Sequence, residues 1–203
     1  MVREMRDVDE RFGVLERACA ATSSVPRAVR PEQMRNATAL AGWDVHELVR
    51  HLIGCASFFA DTAERGVCHA ERRAWPDDAA GDITAEFARE SGRLLRACAV
   101  PGVLNREVTL PSGPATGALC LLVAAGEIFV HGWDVARATG QSTDLAPEVA
   151  AYLRHSQWAE LCNVVRANEP PPFAPARVAA AGAPEADQLA AFLGRSVESP
   201  ATG

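Results

Sequence analysis

Glu127 and His131 stand four residues apart in the most apolar part of this chain, within "GEIFVHGWDVARATGQ" (Gly126 to Gln141), which continues an apolar run that begins at Ala118. Taking a carboxylate out of water costs several kcal/mol, so a sequence that keeps one in such a run is expected to supply a cation, a hydrogen-bond donor or a metal. Residues four apart on a helix lie one above the other, which presents the Glu127 oxygens and a His131 ring nitrogen to the same side, with Asp134 further along that face. Bundles commonly complete such a pair with a ligand from a facing helix, and His51 is the inward candidate. Two imidazoles and one carboxylate leave at least one coordination position open on a divalent cation, the pattern of a catalytic zinc and not of a structural one. The set selects weakly, so nickel, copper or iron would also be held. His51, Glu127 and His131 are therefore the catalytic and metal-binding candidates. Asp134 joins them as a group that either orients a ligand or substrate or pairs with Arg137 three residues on.

Each residue also has a plainer reading. An exposed Glu-His pair at this spacing is worth only a few tenths of a kcal/mol as a surface contact, and a lone inward histidine is commonly a hydrogen-bonded core residue. The apolar flanks of Glu127 favour the site. His46, His69 and His155 fall off the inward stripe and are expected at the surface. "HLIGC" begins an H-x3-C-x2-C zinc pattern of redox-switched anti-sigma factors, but the next ligand position is Phe58, so Cys55 is expected in the core.

The elements that must position these groups are helical. A first helix is expected over about Asp7 to Thr22, carrying Phe12, Leu15 and Cys19 at helical spacing. In "GWDVHELVRHLIG", Asp44 caps a second helix, Glu47 completes a capping box and Trp43 with Leu48 forms a staple across the cap. That register puts Val45, Leu48, Leu52, Cys55 and Phe59 on one buried face with His51 in the same stripe. A linker at about 66–81 leads to a third helix near Thr84 to Ala99, and Glu107 to Leu110 has room for a short extended segment. Pro114 suits the opening turn of a fourth helix running to about Thr139, stopped by Gly140. Gly117, Gly126 and Gly132 each weaken that helix by about 1 kcal/mol relative to alanine, a cost expected where another helix or a ligand comes close. A helix over Pro147 to Ala167, the Pro-rich "NEPPPFAPARVAAAGAP" and a last helix in "EADQLAAFLGR" complete the chain. The expectation is an all-α protein: one helical domain over residues 1–203, with a four-helix bundle at about 7–140 and a C-terminal helical extension at about 147–195.

Composition narrows the partners. A net charge of -6 across 203 residues offers no basic footprint for a nucleic acid or an anionic membrane surface. No apolar run is read as long enough for a membrane span, and the opening "MVREMRDVDERF" has no signal-peptide core, so a cytoplasmic protein is expected. Six scattered cysteines without CxxC pairs suit reduced, mostly buried thiols. No GxSxG elbow, Walker loop or GxGxxG supports serine-hydrolase, P-loop or Rossmann chemistry.

The segments "GWDVHELVRHLIG" and "PSGPATG…GEIFVHGWDVARATGQ", with the closing "LAAFLGR", resemble the mycothiol-dependent maleylpyruvate isomerase N-terminal family, within the wider DinB-like metal-binding bundles. The resemblance covers most of the chain. It departs at "TALAGW", where the family pattern reads "TPCPGW", and the chain is short for the isomerase's additional C-terminal domain. The resemblance implies an up-down-down-up bundle holding a divalent metal, usually zinc, at the positions of His51, Glu127 and His131. It further implies a low-molecular-weight thiol, mycothiol, as co-substrate. The activity expected is S-transfer of that thiol to a small electrophile. The alternatives are thiol-dependent cis-trans isomerisation, a non-catalytic metal-binding bundle, or a metal-free bundle acting on a natural-product intermediate. A second copy of the chain, as a homodimer, is left open among the partners.

Overall fold

The computed structural model describes residues 2–66, 82–110, 113–168, 171 and 173–197. Seven helices and one short hairpin make up these residues: α1 Val2–Arg27, α2 Val45–Arg65, α3 Ile83–Cys98, β1 Glu107–Leu110, β2 Gly113–Thr116, α4 Gly117–Thr139, α5 Pro147–Arg154, α6 Gln157–Val165 and α7 Glu185–Phe192. The fold is the expected all-α, DinB-like four-helix bundle. Around it α1 packs on α4 and α3, and α2 packs on α3 and α4. The pair α2 and α4, which carries the candidate residues, is thus in direct contact.

Local chemistry explains the boundaries. Asp44 Oδ1 accepts from the Glu47 backbone N–H at 2.9 Å while Glu47 Oε2 accepts from that of Asp44 at 2.9 Å, the capping box expected at the start of α2. Gly66 closes the helix at φ 74°, in the left-handed region that favours glycine. Between α2 and α3, Arg93 bonds Asp61 and Glu64 on one side and Glu90 on the other. The linker expected at about 66–81 lies outside the described residues beyond Gly66.

Three expectations are corrected. Pro114 does not open the fourth helix: it sits in β2 opposite Thr109, and the helix starts at Gly117 because the Thr116 hydroxyl accepts from Leu119 N–H at 3.2 Å. The helix expected over 147–167 is two, since Ser156 caps a fresh start at Gln157 by accepting from Trp158 N–H at 3.2 Å. The C-terminal extension therefore holds three short helices. Finally, α4 does have the length and composition of a membrane span, contrary to the reading of the sequence; 72% of its most apolar window is buried inside the protein, as a central bundle helix requires.

Close approach to α4 uses its missing side chains. A Cβ on Gly126 would lie 2.2 Å from Trp158 Nε1, so α6 lays its indole directly on the α4 backbone. A Cβ on Gly132 would lie 2.5 Å from the hydroxyl of Thr22, which donates to the Ile128 carbonyl at 3.1 Å and ties α1 to α4. The carbonyls at the end of α4 are equally satisfied: Gln33 donates to Thr139 at 2.8 Å and Asn36 to Ala138 at 2.9 Å. The five described cysteines form no disulfide and are buried.

These contacts give opposite signs to one substitution at two helical glycines. Gly126→Ala is expected to lower stability by about 1–3 kcal/mol through overpacking against Trp158. Gly92→Ala, where an added Cβ meets only the flexible end of Arg96, is expected to raise stability by up to about 1 kcal/mol. Urea denaturation of both variants measures the contrast; equal effects would refute this account of Gly126.

Candidate functional site

The rings of His51, from α2, and His131, from α4, meet edge to face with centroids 4.7 Å apart. On its other side His51 meets the Trp43 ring, at 4.8 Å. Glu127 Oε2 lies 3.4 Å from His131 Nε2, and Cys55 Sγ lies 3.3 Å from His51 Nε2. His51, Cys55 and Glu127 each offer a donor atom within 4.8 Å of the others. Two segments more than seventy residues apart in sequence are thus folded onto one spot.

These donors fit a divalent cation. Ligands around tetrahedral zinc, with bonds of about 2.0–2.2 Å to nitrogen and oxygen, sit roughly 3.4 Å from one another. The observed 3.4 Å between Glu127 and His131 matches that spacing and exceeds the usual hydrogen-bond length of about 2.9 Å. The expectation that Glu127 is withdrawn from water is corrected: its side chain keeps 38% of its exposure and stands at the rim of the site. The fully buried carboxylate of α4 is Asp134.

Asp134 is held from two directions. Arg195 grips it through Nε to Oδ1 at 3.0 Å and Nη2 to Oδ2 at 2.8 Å, and His131 Nδ1 lies 3.2 Å from Oδ2. Engaging Nδ1 fixes the ring and leaves Nε2 facing Glu127, the arrangement that orients metal-binding histidines elsewhere. Burial opposes charge on Asp134, but the bonds from His131 and Arg195 hold its pKa below the usual carboxylate value. Burial likewise opposes charge on His131, yet its contacts with Asp134 and Glu127 outweigh that and raise its pKa to about 9.

Arg195 reaches α4 because of how α7 ends. Gly194, at φ 86°, donates to the Ala191 carbonyl at 2.8 Å and Arg195 N–H to that of Ala190 at 3.0 Å, a Schellman turn that sends the chain back toward the bundle. Beside Asp134, Trp133 donates from Nε1 to Asp187 of α7 at 2.8 Å. The "HGWD" segment therefore divides its work, with His131 facing the site and Trp133 and Asp134 anchoring the C-terminal segment.

Three contributors escaped the reading of the sequence. Cys55 is buried as expected, but its sulfur faces the donor group, and its signal was the H-x3-C spacing itself. Trp43, read as a staple on Leu48, packs on His51; its loop is closed by Thr38, whose hydroxyl donates to the Trp43 carbonyl at 2.9 Å. Arg195 was legible only as the last letter of "LAAFLGR". Among the other histidines, His46 is half-buried in the first turn of α2, His155 is exposed, and His69 lies outside the described residues.

In protein stripped of metal, the raised His131 pKa makes its charged form a stabilising one. That contribution is complete below the ordinary value of 6.5 and is lost as pH rises through about 9. The thermal midpoint of chelator-treated protein is expected to fall between those values, and to fall less in His131→Gln. Parallel profiles for the two proteins would refute the coupling.

The sequence pattern of the mycothiol maleylpyruvate isomerase N-terminal domain matches residues 15–136, a span that contains His51, Cys55, Glu127, His131 and Asp134. Two relatives from strains of Mycobacterium tuberculosis, the uncharacterized proteins Rv0738 and MT0763, are each 33% identical over 184 residues, covering 90% of this chain and 96% of their own length. The crystal structure of the mycothiol-dependent maleylpyruvate isomerase shares the fold with a TM-score of 0.54 at 16% identity, covering 76% of this chain and 72% of that one. A histidine-to-alanine mutant of the isomerase gives 0.53 at 14% identity. With its pattern matched across the bundle and both site-bearing helices, the chain belongs to the mycothiol maleylpyruvate isomerase N-terminal domain family.

Proposed function

We propose that this protein is a metal-dependent thiol S-transferase that joins a low-molecular-weight thiol, mycothiol by family, to a small electrophile. The observation that carries the reading is that His51, Cys55 and Glu127 each offer a donor atom within 4.8 Å of the others, with His131 Nε2 3.4 Å from Glu127 Oε2 and its ring against His51. A divalent cation held by these residues, zinc by family, would supply the Lewis acidity that lowers the pKa of a thiol and readies it as a nucleophile.

The chain's own residues do the remainder. His51 and His131 offer ring nitrogens from opposite helices, and Glu127 adds a negative oxygen at the rim. Trp43 packs edge to face on the His51 ring and braces it. Asp134, with Arg195 behind it, holds His131 in the ring orientation that presents Nε2.

Charge separates S-transfer from isomerisation as the preferred reading. An isomerase of the maleylpyruvate type must seat a dicarboxylate, which calls for cations facing the substrate. Arg195, which reaches the site through Asp134, has its charge taken up by that carboxylate, and Glu127 lends the mouth a negative edge. A neutral electrophile suits that field better. Isomerisation is the second reading, supported by the fold shared with the isomerase.

Purified protein is expected to hold about one divalent metal per chain, and His51→Ala or His131→Ala to lose it. Elemental analysis finding unchanged metal in both variants would reject the metal assignment. With mycothiol and monobromobimane or chlorodinitrobenzene, thiol is expected to be consumed one for one as adduct accumulates, with the rate abolished by His131→Ala. Conversion of maleylpyruvate with the thiol recovered unchanged would instead establish isomerisation.

A further inference from the structure

We propose that Cys55 is a fourth donor to the cation held at His51, Glu127 and His131, so that the resting site carries a thiolate from the protein itself. The proposal rests on the metal reading above and adds a ligand to it. Cys55 follows His51 by one turn of α2, and that spacing stacks the two side chains on one face. Its Sγ stands 3.3 Å from His51 Nε2 and within 4.8 Å of the Glu127 donor oxygen. Bonds of about 2.3 Å to sulfur and 2.0–2.1 Å to nitrogen put the two ligand atoms roughly 3.5 Å apart on a tetrahedral ion. The observed contact differs from that by a few tenths of an ångström.

Burial also fits. Cys55 is 5% exposed, so its sulfur is shielded from bulk solvent and oxidants while it faces the donor group. A soft donor beside two imidazoles and a carboxylate shifts selectivity toward zinc and away from magnesium and calcium. With Cys55 as a fourth donor, a tetrahedral ion held there would have no open position until a donor left or a fifth ligand entered.

Cobalt(II) separates this proposal from the metal reading on which it rests. Full-length protein is stripped with chelator, reloaded with one cobalt per chain and examined by absorption spectroscopy. Wild type and Cys162→Ala are expected to show an intense near-ultraviolet thiolate-to-cobalt band. Cys55→Ser is expected to lose that band while still binding cobalt. Cobalt bound by wild type without the band, or with a band that survives in Cys55→Ser, overturns the role of Cys55 and leaves the other three ligands standing. Failure of wild type to bind cobalt or zinc overturns both proposals. Should Cys55→Ser not fold, X-ray absorption at the zinc edge of wild type decides: a sulfur neighbour at about 2.3 Å is expected, and a shell of nitrogen and oxygen alone overturns the proposal.

Discussion

The buried ion pair between Asp134 and Arg195 is the interaction on which the site depends. A carboxylate with no exposed surface is tolerated in a helix core only because a guanidinium meets both of its oxygens and an imidazole shares one of them. Removing Arg195 would strip the buried carboxylate of the partner that meets both its oxygens and leave it directly against His131. The same pair spans 61 residues of sequence, so it also fastens the C-terminal segment to the bundle. A ring that must present one nitrogen in a fixed direction is thereby oriented by a contact whose far end lies outside the four-helix core.

Why the attachment must be so close follows from α4. This helix is surrounded: α1, α2 and the C-terminal helices all lie against it, and most of its residues are buried. Thr22 from α1 and Trp158 from α6 press on it where glycine leaves no side chain. Its enclosure is incomplete along a stripe of partly exposed residues, Leu119, Val123, Glu127 and His131, and again at Arg137 and Ala138 near its end. A helix packed on nearly every side cannot shift to accommodate a ligand, so the ligand must fit the gap that the helices leave. Rigidity of this kind is what a site needs to hold donors within a few tenths of an ångström.

Much of this was legible in the sequence, for local reasons. Capping chemistry at Asp44 and Glu47 set the register of α2, and register alone placed His51 and Cys55 on the inner face. Spacing placed Glu127 and His131 together, and glycines within an apolar helix signalled close neighbours. What the sequence did not disclose was long-range. Nothing local says that Ser156 turns α6 so that Trp158 covers Gly126, or that an arginine after α7 seeks Asp134. Glu127 misled for a related reason: hydrophobic neighbours on a helix report the burial of their own faces, and 38% exposure of one side chain depends on where the surrounding helices stop.

Cys55 was expected in the core and lies there, but its approach to His51 went unread because a motif was required to be whole. With Phe58 in place of a second cysteine, the anti-sigma pattern fails as a redox switch, yet the His51-Cys55 spacing keeps its geometric meaning. His51 and Cys55 on α2 are in contact with each other as an i,i+4 pair, as are Glu127 and His131 on α4, and the two pairs lie against one another where the helices meet. This pairing has a consequence for thiol chemistry. A substrate thiol and the Cys55 sulfur would be alike in softness and charge, and would contend for the same coordination position. The chain's own sulfur would then act as a place-holder that a better-bound thiol displaces, which favours a large co-substrate able to add contacts beyond its sulfur over a small thiol that cannot.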